Sequence, residues 1–211
     1  MHIPSRWQHR LVLGVLVTTL CMHSLALAAT LLPSEQGPQD IADWQPEAGD
    51  VFIADTDENI GYLVHPDGIQ TSFPIVTGQR SVVRYIGRVY NARTPARAWT
   101  VLSKDIKGDR TTFGKDGTFL RLTRNSTDED TPYGIHSHRS AVKMLADDYR
   151  YRSMGCIIVS YDVLAIIEST FALSGNRLPV LTVNGMDKDI ASLREELIES
   201  APEYDSFAMD R

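Results

Sequence analysis

The region from Val51 to Val183 is a succession of short apolar runs separated by turn residues. Ile60–His65 and Ile69–Val76, for example, flank the sequence HPDG at positions 65–68, and Pro-Asp-Gly is a strong turn signal. Apolar runs of this length joined by such turns are typical of strands in hairpins or meanders. The pattern therefore favours a fold that is mostly β.

The other elements follow from the same signals. Further strands are predicted at Val51–Ala54, Ala98–Lys104, Thr118–Arg124, Tyr133–His138, Gly155–Val159 and Leu178–Val183. Ser160 can cap a helix over Tyr161–Leu173 that ends at Gly175, and Ala141–Arg150 favours a second, short helix. We therefore predict an α+β chain that is mostly β, with a sandwich-like sheet and a few helices next to the strand around residue 156.

The first 28 residues have the three parts of a secretory signal peptide. Met1–Arg10 is basic and contains no acid, an apolar stretch follows, and Ala26-Leu27-Ala28 offers a small-x-small cleavage pattern. A retained membrane anchor is the alternative, although an apolar stretch of this length and mixed polarity is marginal for a membrane span. We expect an exported protein of the periplasm or cell envelope.

The sequence divides into four predicted segments. Residues 1–28 form the signal peptide, and residues 29–50, which are rich in Pro, Gly and acids, form an N-terminal linker. Residues 51–185 form the folded domain of strands and helices, and 186–211 form a C-terminal tail that is partly helical over Ile190–Ile198.

The charge of the chain excludes one class of partner. The formal net charge is −6, and removal of the signal peptide takes away arginines but no acid, so the mature chain is more acidic still. Nucleic-acid binding draws on extended basic surfaces. Arginines do recur at positions 80, 84, 88, 93 and 97, and a helix would place the first three on one face. An anionic ligand and a solvated face both explain this run.

The chain has two cysteines, Cys21 and Cys156, and Cys21 leaves with the signal peptide. An internal disulfide is then excluded, and a zinc site would need other ligands. The outside of a cell is oxidising, so a solitary thiol there is either buried as a small hydrophobic group or retained for its chemistry. The cysteine count alone leaves both alternatives open.

His136 and His138 lie two positions apart in a predicted strand and would therefore face the same side. A nucleophilic thiol needs a base, a group that orients the base, and donors for an oxyanion. Gly155, next to Cys156, permits close backbone approach, so successive amides there could converge on an oxyanion. Because the chain combines one thiol with one histidine pair, a role of the pair in thiol catalysis is favoured over a role as ordinary surface or core histidines.

These residues resemble the motif of the YkuD-type L,D-transpeptidase domain, in which a His precedes Ser/Thr-His-Gly-Cys. Here His136 is followed by residues 137–152 and then by SMGC at positions 153–156. The lead-in TPYGIH at 131–136 is similar to the family's Pro-x-Gly-Ile-His. VTG at 76–78 and TP at 94–95 resemble its upstream elements, so the resemblance spans roughly Val51 to Gly185.

The resemblance implies that Cys156 is the nucleophile, that His136 is its base and that the backbone carbonyl of Ser137 orients His136. Oxyanion and substrate contacts are expected from Ser153, Met154, Gly155, His138, Tyr133 and Arg152. The implied reaction is transfer of an acyl group from a peptidoglycan stem peptide, through a thioester, to an amine on a neighbouring stem. The resemblance implies no metal and no organic cofactor. We also expect a monomer and, from the acidic charge, no nucleic-acid partner.

Three positions depart from the family's pattern. Met154 replaces the usual His, and Ser137-His138 replaces the common Gly-Thr/Asn after the catalytic His. Ile158 stands where many members have an Arg linked to the substrate carboxylate, so either another arginine serves or the substrate differs. The candidates are Arg139, Arg150 and Arg152, of which Arg152 is nearest to Cys156 in sequence.

Two other functions remain open from the sequence. A hydrolase on the same scaffold would pass the acyl group to water, as an L,D-carboxypeptidase or as an enzyme that releases a wall-linked protein. A non-catalytic wall-binding module would keep the fold and the arginine-rich surface with Cys156 merely buried. The hydrolase would differ from a transpeptidase in the acceptor of the acyl group, and the wall-binding module would differ in having an unreactive thiol.

Overall fold

The computed structural model describes residues 39–85, 87–125 and 129–200, all within one unit that spans Leu31–Arg211. The predicted signal peptide, the start of the predicted linker and the end of the tail lie outside the described residues, and the domain boundaries stay predictions. Within the described part of the chain, no helix is both long and apolar enough to cross a membrane.

Strands dominate the described residues. In chain order they are β1 (Val51–Asp55), β2 (Ile60–Val64), β3 (Gln70–Pro74), β4 (Thr77–Gly78), β5 (Val82–Tyr85), β6 (Arg88–Asn91), β7 (Arg97–Ile106), β8 (Thr118–Arg124), β9 (Asp130–His136), β10 (Tyr151–Ser153), β11 (Ile157–Ile158) and β12 (Leu178–Val183). The helices are α1 (Ala141–Leu145), α2 (Tyr161–Leu173) and α3 (Ile190–Ser200), and a short 3-10 turn covers Ile41–Asp43. The prediction of a mostly β chain with a few helices is confirmed.

Eight strands form one mixed sheet in the order β11-β9-β8-β7-β12-β1-β2-β3. The last strand, β12, returns to the middle of the sheet, where it runs parallel to β1 and antiparallel to β7. At one edge β11 runs parallel to β9. Two small sheets lie outside it: β4 pairs with β10, and β5 pairs with β6 as a hairpin.

The sheet carries apolar packing on both faces because side chains alternate along each strand. In β1, Phe52 belongs to the larger core cluster, which includes Ile167 and Phe171 of α2. The neighbouring Ile53 points the other way and packs with Leu193 of α3. The alternation therefore places α2 and α3 against opposite faces of the central strand.

Helix α2 has the bounds that its local signals predict. The Ser160 hydroxyl accepts a hydrogen bond from the backbone N–H of Val163 at 3.2 Å, and Gly175 follows the helix with φ +68. Helix α1 is shorter than the predicted Ala141–Arg150. Asp147 accepts a hydrogen bond from the backbone N–H of Tyr149 at 2.9 Å, a side-chain turn that competes with a helix.

Two strands differ from their predicted bounds, and the arginine-rich segment, for which no element was predicted, forms the β5–β6 hairpin. Val82 and Val83 favour strands there, and Gly87, at φ +73, supplies the turn. Strand β9 begins at Asp130 and ends at His136, so His138 lies beyond the strand. Only Ile157–Ile158 of the predicted Gly155–Val159 strand is paired.

Candidate active site

Cys156 and His136 lie on neighbouring strands at the β11 edge of the sheet. Ile157 of β11 pairs with Ile135 of β9. Cys156 precedes this pair and therefore lies beside Gly134, while His136 follows it. Because side chains two positions apart share a face, Cys156 and His136 point to the same side of the sheet. Both line one cavity of about 880 Å³.

The thiol of Cys156 is half-buried and protonated at rest. Its Sγ lies 3.8 Å from the carbonyl oxygen of Pro132, which is its hydrogen-bond acceptor in place of the expected His136. Burial raises the pKa of the thiol to about 11, against the opposing effects of a backbone hydrogen bond from Gly134 and the charge of Arg121. Little thiolate therefore exists at neutral pH.

His136 is buried and held as one neutral tautomer. Its side chain packs against the rings of Phe113 and Phe119, with ring centroids 5.0 and 5.9 Å away. Burial lowers the pKa of His136 to about 4. Nδ1 lies 2.7 Å from the carbonyl oxygen of Ser137, so Nδ1 carries the proton and Nε2 keeps a lone pair. This contact is the one that the motif resemblance implies for the carbonyl of Ser137.

The turn before Cys156 is held by the side chain of Ser153. Its hydroxyl donates a hydrogen bond to the carbonyl of Cys156 at 2.5 Å and accepts one from the amide of Gly155 at 3.1 Å. Gly155 has φ +115, and a Cβ there would lie 2.5 Å from Cε1 of Tyr133. Only glycine fits this position, since both the backbone conformation and the close ring exclude a side chain.

Thr94 joins two distant parts of the sequence motif. Its hydroxyl donates to the carbonyl of Gly155 at 3.0 Å and accepts from the amide of Gly78 at 2.9 Å. Ser153 also pairs with Gly78 in the small β4–β10 sheet. The upstream elements at 76–78 and 94–95 thus support the turn that carries Cys156, rather than lining the cavity themselves.

Seven of the nine predicted site residues line the same cavity: Cys156, His136, His138, Tyr133, Arg152, Ser153 and Met154. The other two act behind them: Ser137 is fully buried with its carbonyl on His136, and Gly155 is packed under Tyr133. His138 reaches the cavity from beyond the end of β9, where its Nδ1 accepts a hydrogen bond from the amide of Ser140. The hydroxyl of Tyr90 holds the carbonyl of Met154 at 3.2 Å.

Three further cations line this cavity: Arg88, which belongs to the arginine run, and Lys107 and Arg121, which no sequence motif indicates. Of the three arginines expected to replace the one absent at position 158, only Arg152 lines it, and its guanidinium binds Asp147 at 2.5 Å. A charged residue inside the apolar run of β8 was a signal that could have pointed to Arg121. Lys107 follows β7 and gives no such signal.

A group with metal-binding atoms lies elsewhere in the fold. The ligand atoms of Glu47, Asp50 and His65 lie within 4.8 Å of one another, and none of these residues lines the Cys156 cavity. His65 Nδ1 is 2.6 Å from Asp50 Oδ1, and the ring stacks on Trp44 with centroids 3.7 Å apart. Burial raises the pKa of Asp50. The pair satisfies its own polar atoms and attaches the segment around Trp44 to the core.

Fold and site together define a mostly β chain in which a thiol and an imidazole face one cationic cavity. No family model matches this chain, and no curated protein matches it. Among solved structures it is similar to an L,D-transpeptidase from Xylanimonas cellulosilytica, at 21% identity and a TM-score of 0.44 over 66% of this chain and 63% of that chain.

Two other solved structures are similar. An L,D-transpeptidase from Mycobacterium smegmatis is 20% identical, with a TM-score of 0.41 over 64% of this chain and 59% of that one. The helical cell shape determining protein Pgp2 from Campylobacter jejuni is 14% identical, with a TM-score of 0.46 over 70% and 52%. The chain therefore spans less than two thirds of the length of each. With TM-scores this low, any function must be argued from the site itself.

Proposed function

We propose that this chain is a cysteine acyltransferase of the L,D-transpeptidase type that acts on peptidoglycan stem peptides. The observation that carries the proposal is the placement of Cys156 and His136 on one face of neighbouring strands, at one cavity, with the tautomer of His136 held by the carbonyl of Ser137. The motif resemblance supplies the substrate class. The lining of four cations favours a substrate that carries carboxylates.

In the proposed reaction, Sγ of Cys156 attacks the carbonyl carbon of the donor peptide while Nε2 of His136 takes the thiol proton. The tetrahedral oxyanion receives hydrogen bonds from the backbone amides of Met154 and Cys156, because the amide of Gly155 already binds Ser153. Collapse breaks the C–N bond, the departing amine takes the proton from His136, and a thioester remains. An acceptor amine then attacks the thioester, and its proton returns to the sulfur through His136.

Cys156 and His136 are both neutral before the donor binds, and this determines when the thiol proton can be transferred. Burial raises the pKa of the thiol to about 11 and lowers that of His136 to about 4, so the neutral pair is favoured over the thiolate–imidazolium pair. Proton transfer must therefore be coupled to attack on a bound carbonyl, where the oxyanion donors stabilise the charge that develops. A free thiolate is not part of the proposed mechanism.

Purified muropeptides provide the test. The wild-type chain and Cys156→Ala are incubated with a stem-peptide donor, and products are separated by chromatography and mass spectrometry. The wild type is expected to give cross-linked dimers and a thioester adduct on Cys156, and Cys156→Ala is expected to give neither. Circular dichroism of the variant shows whether it still folds.

Other outcomes identify the alternatives. Shortened stem peptides with a free D-amino acid and no dimers would mean that water is the acceptor, as in a carboxypeptidase. No product and no adduct from a folded wild-type chain would refute the proposal and favour a wall-binding module. His136→Gln is the companion variant, since its loss of adduct formation in a folded chain separates a base from a packing role.

A further inference from the structure

The cavity at Cys156 has an unusual charge for this chain. Four cationic residues line it, namely Arg88, Lys107, Arg121 and Arg152, and among its described lining residues there is no Asp or Glu. The chain as a whole has a formal net charge of −6. A concentration of one sign in a concave site raises the local concentration of ligands of the opposite sign. The charge of the lining therefore favours an anionic ligand.

Two of these cations share a single acid. Lys107 Nζ lies 2.8 Å from Oδ2 of Asp105, and the guanidinium of Arg121 binds the same oxygen. Arg121 also donates to the carbonyl of Thr131 at 2.7 Å. Lys107 and Arg121 both lie over the ring of Phe119, at 5.1 and 5.3 Å from its centroid. The pair is thus ordered in advance and retains an excess positive charge.

The remaining cations are less suitable as an anchor. Arg152 is matched one to one by Asp147. Arg88 is exposed on the β5–β6 hairpin. Ile158, where the motif would have an arginine, is buried against Val76 and Ala141 and offers no charge.

The sheet register places Arg121 in line with Cys156. Arg121 of β8 pairs with Gly134 of β9, and Cys156 lies beside Gly134 on the other side. Two interstrand spacings of about 4.8 Å separate the backbones of Arg121 and Cys156. The space above Gly134 is filled by Phe119, whose Cζ would lie 2.3 Å from a Cβ at that glycine. The ring thus forms a floor between the cation and the thiol.

We propose that Arg121, with Lys107 beside it, is the anion subsite that holds a free carboxylate of the acyl donor next to Cys156. The inference rests on the proposed function, and it assigns the carboxylate contact to β8 rather than to Arg152 or to the strand that follows the cysteine. Arg121 is a specificity-determining residue in this scheme. It selects donors that carry a carboxylate within a residue or two of the carbonyl that Cys156 attacks.

A matched pair of thiol reagents tests the subsite without any turnover. Iodoacetate and iodoacetamide alkylate the same sulfur, but only iodoacetate carries a carboxylate. Rates of Cys156 labelling in the folded full chain are measured for both reagents at one pH by peptide mass spectrometry. Their ratio cancels any change in thiol pKa. Arg121→Gln is expected to lower the iodoacetate to iodoacetamide ratio roughly threefold to tenfold, the effect of about one hydrogen bond of ordinary strength.

Substitutions at Arg121 and at neighbouring charged residues provide the controls. Arg121→Lys and Arg152→Gln are expected to keep the ratio within about twofold of wild type, and Asp105→Asn is expected to raise it. Lys107→Gln tests the pair if Arg121→Gln does not fold, and it should lower the ratio in the same direction. An unchanged ratio in Arg121→Gln, or an equal fall in Arg152→Gln, would overturn the subsite. If the wild-type chain does not convert muropeptides but its iodoacetate to iodoacetamide ratio still depends on Arg121, only the proposed reaction is refuted and the anion subsite stands.

Discussion

Acidification should destabilise the folded chain through His136. The pKa of this histidine is lowered from its ordinary value of 6.5 to about 4, chiefly because its ring is buried. Between these two pH values the unfolded chain binds a proton that the folded chain does not bind. The free energy of unfolding must therefore fall as the pH falls below 6.5, and the loss is complete below pH 4.

The size of the effect follows from the same two values. Each pKa unit corresponds to 1.36 kcal/mol, so the complete loss from this residue is about 3 kcal/mol, and the loss between pH 7 and pH 5 is about 2 kcal/mol. His136 has only 3% of its surface exposed, so solvent screening reduces this little. A loss of 2 kcal/mol is a large part of the 5–15 kcal/mol that typically stabilises a domain.

Urea unfolding at pH 7 and pH 5 measures this, with wild type and His136→Gln compared at each pH. For each chain, the loss of unfolding free energy between pH 7 and pH 5 is calculated, and the loss in His136→Gln is subtracted from the loss in wild type. Carboxyl groups also titrate in this range, but they contribute equally to both chains and cancel in this difference. That difference should be about 2 kcal/mol. Equal losses in wild type and His136→Gln would refute the burial argument.

Two further predictions concern the cysteine turn. The rate of Cys156 labelling by iodoacetamide in the folded chain should rise about tenfold per pH unit from pH 7 to 10, because the pKa of the thiol is about 11. In the urea-unfolded chain the labelling rate should level off near pH 9. A plateau of the rate below pH 9 in the folded chain would contradict the raised pKa. Gly155→Ala should lower the free energy of unfolding by about 2–4 kcal/mol in urea titrations, since φ is +115 and Tyr133 is in the way. Gly175→Ala, at φ +68 with open space around it, should cost only about 1 kcal/mol, and equal losses would show that the Tyr133 contact is unimportant.

The elements that could be predicted from the sequence are those with local signals. Helix α2 is bounded by a hydroxyl cap at Ser160 and by Gly175, and each acts within a few residues of the helix end. Strand β8 agrees with the predicted Thr118–Arg124 because apolar residues and a preceding Gly-rich turn define it. The segment at 80–88 was ambiguous, since arginine spacing is compatible with a helix while its valines favour strands.

The parts that could not be predicted depend on contacts between residues far apart in the chain. Strand β12 enters the sheet between β7 and β1, which no local pattern specifies. The role of Thr94 emerges only when β4 and the cysteine turn come together. Arg121 joins the site for the same reason, because pairing with β9 decides which residues of β8 face the cavity. The sequence therefore predicted the thiol and the histidine that line the cavity, whereas the fold was needed to place Lys107 and Arg121 beside them.

The neutral state of the pair connects the site with the predicted export of the chain. Oxidation of a cysteine follows its thiolate fraction and its exposure. With a thiol pKa of about 11, roughly one molecule in 10⁴ carries the thiolate at pH 7. In an oxidising compartment a solitary, permanently ionised Cys156 would be lost to such reactions. Under the proposed function, a thiol that is deprotonated only as it attacks a bound donor avoids them, because burial keeps Cys156 protonated and makes His136 a weak base.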